Sequence, residues 1–189
     1  MSEHIEVWRS PEQVEGVRVA TGFGSIVRSD RVAAALRSCL ALGATIVVAV
    51  QHEEVVGYAT VVPSSALVHE RWHDLPSVHE LGALEVAAPA RRRQLGTAML
   101  GELPRALEAD HAIVFARALV GHWDLGRSGL EAMQYRRMLA GMLSRVGFAH
   151  ERTDDPEVDD HPLSFLTVRY GRHVDVASLY AFSQRLRAS

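Results

Sequence analysis

The stretch Glu80–Leu100, ELGALEVAAPARRRQLGTAML, constrains this chain more than any other. Leu81–Val86 is an apolar run with the length and composition of a buried strand. Ala87-Ala88-Pro89-Ala90 ends it, because Pro89 has no N–H to give to a β-ladder. Arg91-Arg92-Arg93-Gln94-Leu95-Gly96-Thr97 follows, and Ala98, Met99 and Leu100 continue as a helix. Strand, basic turn, helix start is the layout of an anion site. The first N–H groups of a helix have no partner inside it, and the macrodipole favours negative charge there. Gly96 lets the backbone approach a ligand closely, three arginines add charge, and a diphosphate suits such a place.

Two familiar phosphate loops are excluded. The chain holds no G-x-x-x-x-G-K-[ST] and no G-x-G-x-x-G. A solvated basic turn with no ligand is the plain alternative.

Composition narrows the class. The 189 residues are enough for a domain with a real core, and a net charge of −3 argues against a basic nucleic-acid binder. One cysteine, Cys39, excludes an internal disulfide and a Cys-rich zinc site and fits a reducing compartment. No run approaches the ~20 apolar residues of a membrane span. The polar opening MSEHIEVWRSPEQ does not read as a signal peptide, so the cytoplasm is the expected place. With no repeat, low-complexity tract or linker, a single domain over residues 1–189 is expected.

In chain order, Ile5–Trp8 reads as a weak strand and Ser10-Pro11-Glu12-Gln13 as a capping box. A helix from Arg31 to Leu42, capped by Asp30, puts Val32, Leu36, Cys39 and Leu40 on one face, with Cys39 as a buried hydrophobe. Thr45–Val50 and Val55–Val62 form a hairpin across Gln51–Glu54. His69-Glu70-Arg71-Trp72-His73 is a literal H-E-x-x-H, but its helix would be brief, between Pro63 and Pro76. A polar lid anchored by Trp72 is the competing reading. A helix from Leu95 to Asp110 is expected to kink or split at Pro104. Ala112–Leu119 is a strand, followed by the loop Gly121–Gly126. Ser128-Gly129-Leu130-Glu131 reads as a capping box for a helix to Val146, with Leu139, Met142, Leu143 and Val146 as its stripe and Met138 beside it as core. Strands Phe148–Arg152 and Leu163–Tyr170 flank the acidic loop Asp154–Pro162, and Asp175 caps a last helix to Leu186.

The basic turn resembles the acyl-CoA loop of the GNAT acetyltransferases, Q/R-x-x-G-x-G/A, with Arg91 first, Gly96 last and Gln94 in place of the middle glycine. A literal match also runs from Arg93 through Gly96 to Ala98. From Val55 to Arg187 the chain is similar to the acetoin-utilisation acetyltransferase family, AcuA, through VVGYAT, ERW, ELGALEV, GHWDL, YRRML, TDDPEVDDHP and AFSQRLR. The first fifty residues match poorly. The resemblance implies a GNAT fold of the α/β (α+β) class: a mixed, mostly antiparallel central sheet flanked by helices, with an extra C-terminal helix.

It also implies an acyltransferase that moves acetyl from acetyl-CoA to a protein lysine, with acetyl-CoA synthetase as the family's reported partner. Backbone around Leu84, Glu85 and Val86 would hold pantetheine. Arg91, Arg92, Arg93, Gln94, Leu95, Gly96 and Thr97 would surround the diphosphate. An attacking lysine must lose a proton near neutrality, so a carboxylate base is needed. Glu80 is the preferred candidate and Glu85 the second; five residues apart, they face opposite sides of a regular strand. The tyrosine that often protonates the leaving thiolate is absent near Leu143, and Tyr135 lies about 12 Å further back along the helix. His122, Trp123, Asp124 and Tyr135 are candidates for holding the acceptor, with a packed Trp in a capped loop as the alternative. No metal, nucleic acid or membrane is called for, and a homodimer stays open. Acetylation of a small amine, a non-catalytic acetyl-CoA regulator, and zinc hydrolysis at the H-E-x-x-H are the competing functions.

Overall fold

The computed structural model describes residues 3–67, 71–91 and 94–187. The chain divides into two compact units, Met1–Val62 with Leu81–Leu107 and Pro63–Glu80 with Glu108–Ser189. Strand β5 (Val78–Val86) contributes its first three residues to the second unit and the rest to the first.

In the first unit, β1 (His4–Trp8), β3 (Thr45–Gln51), β4 (Glu54–Pro63) and β5 are neighbours in that order, and the short β2 (Arg18–Val19) runs parallel to β4. β1–β3 and β3–β4 are antiparallel. The hairpin turn is tighter than Gln51–Glu54. His52 and Glu53 alone make it, both left-handed at φ 51° and 63°, as a twisted two-residue turn requires. Ile46, Val47, Val48 and Ala49 are all fully buried, so this part of the sheet is covered on both faces.

Helix α1 (Ser29–Ala41) buries Val32, Leu36 and Leu40. It starts before Asp30. Arg28 takes the N-cap position, and Asp30 stands in the first turn, where the helix dipole favours a carboxylate. The Ser29 hydroxyl instead accepts the Phe23 N–H at 3.1 Å. Cys39 is half-buried rather than sealed in the core, and that burial raises its thiol pKa.

Helix α2 (Leu95–Ala106) passes Pro104 without splitting, because the proline falls in its last turn and the helix ends two residues later. Arg9 closes it, donating from Nη2 to the Ala106 carbonyl at 2.8 Å, a cation at the negative helix end.

In the second unit the order is β5, β6 (Ile113–Ala118), β8 (Phe165–Tyr170), β7 (Ala149–Glu151). β5 and β6 are parallel over Val78–Glu80, and the other pairs are antiparallel. Its core gathers Trp72, Val78, Ile113, Phe115, Leu166, Val168 and Phe182. Trp72 is fully buried, stacks on Phe182 at 4.7 Å, lies 4.6 Å from Phe115 and donates its indole N–H to the Phe182 carbonyl. The packing role expected of Trp72 is thus met. His69 and Glu70 lie outside the described residues. Among the described residues, no group of three or more His, Cys, Asp or Glu is arranged to hold a metal ion.

Helices α3 (Leu125–Ser128), α4 (Ala132–Arg145), α5 (Pro156–Asp159) and α6 (Val176–Arg185) complete this unit. The capping box falls three residues later than expected. Glu131 and Gln134 form it, because Gly129 at φ +70° ends α3 and removes Ser128 as a helix start. The expected stripe faces inward, with Leu143 buried and Leu139, Met142 and Val146 half-buried, but Met138 is 40% exposed and is not core. Asp175 caps α6 as read, accepting the Ser178 N–H at 2.8 Å. No described helix is long and apolar enough to cross a membrane.

Trp72→Ala empties the centre of the second unit's core, and urea unfolding should show a loss of about 4 kcal/mol. A loss under about 1 kcal/mol would contradict this packing.

Candidate active site

The end of β5 and the start of α2 carry the first group of candidates. β5 stops at Val86, and Ala88–Ala90 makes a single 3-10 turn with Pro89 inside it. Arg91 folds back and donates from Nε to the Val86 carbonyl at 3.1 Å. Arg92 and Arg93 lie outside the described residues. Gln94 then takes the N-cap position in a left-handed conformation, φ 58° and ψ 16°, and its side chain makes no capping hydrogen bond.

This explains the family motif at that position. The turn needs positive φ, glycine supplies it freely, and glutamine adopts it at a cost of about 1 kcal/mol. The first intrahelical bond runs from the Ala98 N–H to the Gln94 carbonyl. The N–H groups of Leu95, Gly96 and Thr97 therefore have no acceptor inside the helix. Leu95 and Gly96 are buried, while Gln94 is exposed and Thr97 half-exposed. A full-length helix with an uncapped start, reached through a tight turn, fits a diphosphate.

The turn is braced from below. Glu85 is 4% exposed, and both its oxygens are bonded. Oε1 accepts the N–H groups of Gly24 at 2.9 Å and Ser25 at 2.7 Å, and Oε2 accepts the Tyr58 hydroxyl at 2.7 Å. Burial pushes the carboxyl pKa up, but these donors outweigh it, and Glu85 is held below the ordinary glutamate value. Tyr58 is shifted well upward, first by burial and then by Glu85.

Gly22, at φ +98°, brings the same loop against the turn. Its carbonyl accepts the Ala88 N–H at 3.1 Å, and a Cβ there would sit 2.8 Å from Pro89 Cδ. The first fifty residues thus supply the floor of the turn, a role that apolar periodicity does not reveal. Leu84 and Val86, on either side of Glu85, are half-buried.

Glu80 has a different setting, in the second unit. Its side chain is 13% exposed, and Oε1 accepts from Arg117 twice, from Nε at 3.1 Å and from Nη2 at 2.9 Å. Oε2 takes no hydrogen bond among the described residues. Arg117 also reaches Asp155 at 3.5 Å and Glu157 at 3.1 Å. Its lone charge inside the apolar run IVFARAL was the available signal, since a charged residue in a buried strand needs partners.

The third group is split between two kinds of contact. Trp123 and Tyr135 stack at 5.3 Å with planes 19° apart. Asp124 is buried and caps α3, pairing with the Arg127 Nε at 3.2 Å. His122 is exposed on a 3-10 turn. The Trp123 indole nitrogen is buried with no hydrogen-bond partner among the described residues.

The architecture matches the fold of solved GNAT acetyltransferases. A PaiA N-acetyltransferase from Thermoplasma acidophilum, solved in complex with coenzyme A, shares the fold at TM-score 0.51 and 14% identity, over 90% of this chain and 99% of that one. An acetoin utilization protein from Exiguobacterium sibiricum shares it at TM-score 0.86 and 24% identity, over 100% of this chain and 96% of the other. No family model matches the chain.

The sequence goes further than the fold. Over 144 residues it is 32% identical to the acetoin utilization protein AcuA of Bacillus licheniformis, covering 75% of this chain and 67% of that protein. The chain belongs to the AcuA family.

Two variants test the braced turn. Gln94→Gly should raise stability by about 1 kcal/mol by relieving the left-handed residue, and a loss of stability would contradict that reading. Glu85→Gln should cost about 2 kcal/mol at pH 7, because it disturbs one buried and two part-buried hydrogen bonds to the carboxylate. Since the native carboxyl pKa is depressed, this stabilisation is present above the unfolded value of about 4.3 and fades as pH falls through the lower native value. Urea melts of both proteins at several pH values check this. A gap that widens on acidification would contradict it.

Proposed function

We propose that this protein transfers the acetyl group of acetyl-CoA to a lysine side chain of a protein, with acetyl-CoA synthetase as the acceptor. The observation that carries the donor half is the uncapped start of α2 behind the left-handed Gln94. Three backbone N–H groups there suit the diphosphate, and Arg91, Arg92 and Arg93 add positive charge. The backbone around Leu84, Glu85 and Val86 is assigned to pantetheine. Acetyl-CoA supplies an acetyl group already activated on a thiol leaving group. The acceptor half rests on membership of the AcuA family.

Glu80 is assigned as the general base. Of the two glutamates on β5 it alone has a carboxylate oxygen without a hydrogen bond among the described residues, and that oxygen can take a proton directly or through water. Glu85 has both oxygens committed and is assigned to holding the turn. The stacked Trp123 and Tyr135, with His122 beside them, are assigned to the acceptor segment.

Leu143 is 2% exposed where a thiolate-protonating tyrosine is expected, so the leaving group is protonated by another donor, with water and His122 as candidates. The same leucine favours one second reading, a regulator that binds acetyl-CoA without turnover.

Incubation with acetyl-CoA and the cell's acetyl-CoA synthetase, followed by mass spectrometry, should find an acetyl-lysine on the synthetase. Glu80→Gln should lower kcat about 100-fold or more. Acetylation only of polyamines, amino acids or aminoglycosides in a parallel screen would replace the protein acceptor with a small amine. Binding without any turnover would favour the regulator.

A further inference from the structure

The Arg117 cluster has a role beyond neutralising charge. Its guanidinium is largely withdrawn from water, 18% exposed, and lies 5.7 Å from the Phe115 ring centre. Among the described residues it meets three carboxylates from two parts of the second unit. Glu80 comes from β5, while Asp155 and Glu157 come from the start of α5. Asp155 is itself fixed, 4% exposed, accepting the Glu157 N–H at 3.0 Å, while its own N–H donates to Thr153 Oγ1 at 3.1 Å. The neighbouring Asp154 is held by Arg71 at 2.7 Å. At one end the guanidinium therefore meets the capped start of α5, through buried Asp155 and exposed Glu157.

At its other end the contact is one-sided. Nε and Nη2 both donate to the same oxygen of Glu80, Oε1. A planar fork matched to both oxygens would occupy the whole carboxylate. Sharing one oxygen holds Oε1 in place and leaves Oε2 without a hydrogen bond among the described residues. This arrangement suits a base that must be aimed rather than neutralised.

We propose that Arg117 is a positioning residue for Glu80, aligning the free oxygen Oε2 through its anchorage to Asp155 and Glu157 at the α5 start. Half of the acidic TDDPEVDDHP segment thereby serves as internal scaffolding for the base. The proposal rests on the assignment of Glu80 as general base. Proton transfer falls steeply with misplacement, so loss of the aim acts on the chemical step and not on donor binding.

The test is a double-mutant cycle of Glu80→Gln and Arg117→Lys, with Arg117→Ala as a second probe. Lysine keeps the charge but lacks the fork, so it guards against the unfolding that three unneutralised carboxylates could cause. Release of free CoA is followed with acetyl-CoA synthetase as acceptor and, in parallel, with water alone as the nucleophile, so the comparison does not depend on the acceptor. Thermal melts confirm that each variant is folded.

Arg117→Lys should lower kcat by about 10- to 100-fold with KM for acetyl-CoA within about twofold. In the Glu80→Gln background the same change should cost nothing further, because no base is left to aim. A severe Glu80→Gln with a silent Arg117→Lys, or with additive effects in the double variant, overturns the positioning role alone. A silent Glu80→Gln overturns the base assignment and the positioning role with it.

Discussion

The structure of the first unit hangs on one buried carboxylate. Glu85 ties the penultimate residue of β5 to Tyr58 on β4 and to two backbone N–H groups of the loop before α1. Without it, the buried Tyr58 hydroxyl would be left unpaired, at a cost of about 1–3 kcal/mol, and the part-buried bonds from Gly24 and Ser25 would be lost. With it, the chain leaves the sheet at a fixed point and direction. Gly22 then seats the loop against Ala88 and Pro89 so closely that no side chain fits. The left-handed Gln94 turns the backbone into α2 with its first amides uncapped. An anion site made of backbone has no side chain to adjust, so its quality depends on how rigidly the turn is held.

The same strand carries a second glutamate with the opposite assignment. Glu85 meets neutral donors, which satisfy every acceptor position within reach and keep it ionised and inert. Glu80 meets a guanidinium that uses one oxygen and leaves the other. Two identical side chains five residues apart thus differ in what chemistry remains open to them, and the difference is made by their partners. Arg117 carries that difference on one side, Tyr58 and the Gly24–Ser25 amides on the other.

Much of this was legible in the sequence. The strand ending at Val86, the helix from Leu95, the β3–β4 hairpin and the Asp175 cap follow from apolar periodicity, proline and cap chemistry, all of which act over a few residues. The departures have long-range causes. The α4 start moved because Gly129 takes a left-handed conformation that ends α3. Met138 on α4 is apolar, but nothing in local spacing says whether a partner covers it. The loop from Gly22 to Ser25 is opaque for the same reason: its order comes from Glu85, some sixty residues away in sequence. Family resemblance pointed to the turn before α2 as a candidate diphosphate site and suggested Glu80, yet Arg117 was readable only as an unexplained charge in a buried strand. His69, Glu70, Arg92 and Arg93 belong to segments on which the described structure is silent.

The most direct measurement is a crystal structure of the protein soaked with coenzyme A. Diphosphate oxygens should lie within hydrogen-bond distance of the Leu95, Gly96 and Thr97 N–H groups, with Glu85 still bonded to Tyr58, Gly24 and Ser25. Coenzyme A bound elsewhere, or a diphosphate held only by side chains while those amides face solvent, would contradict this.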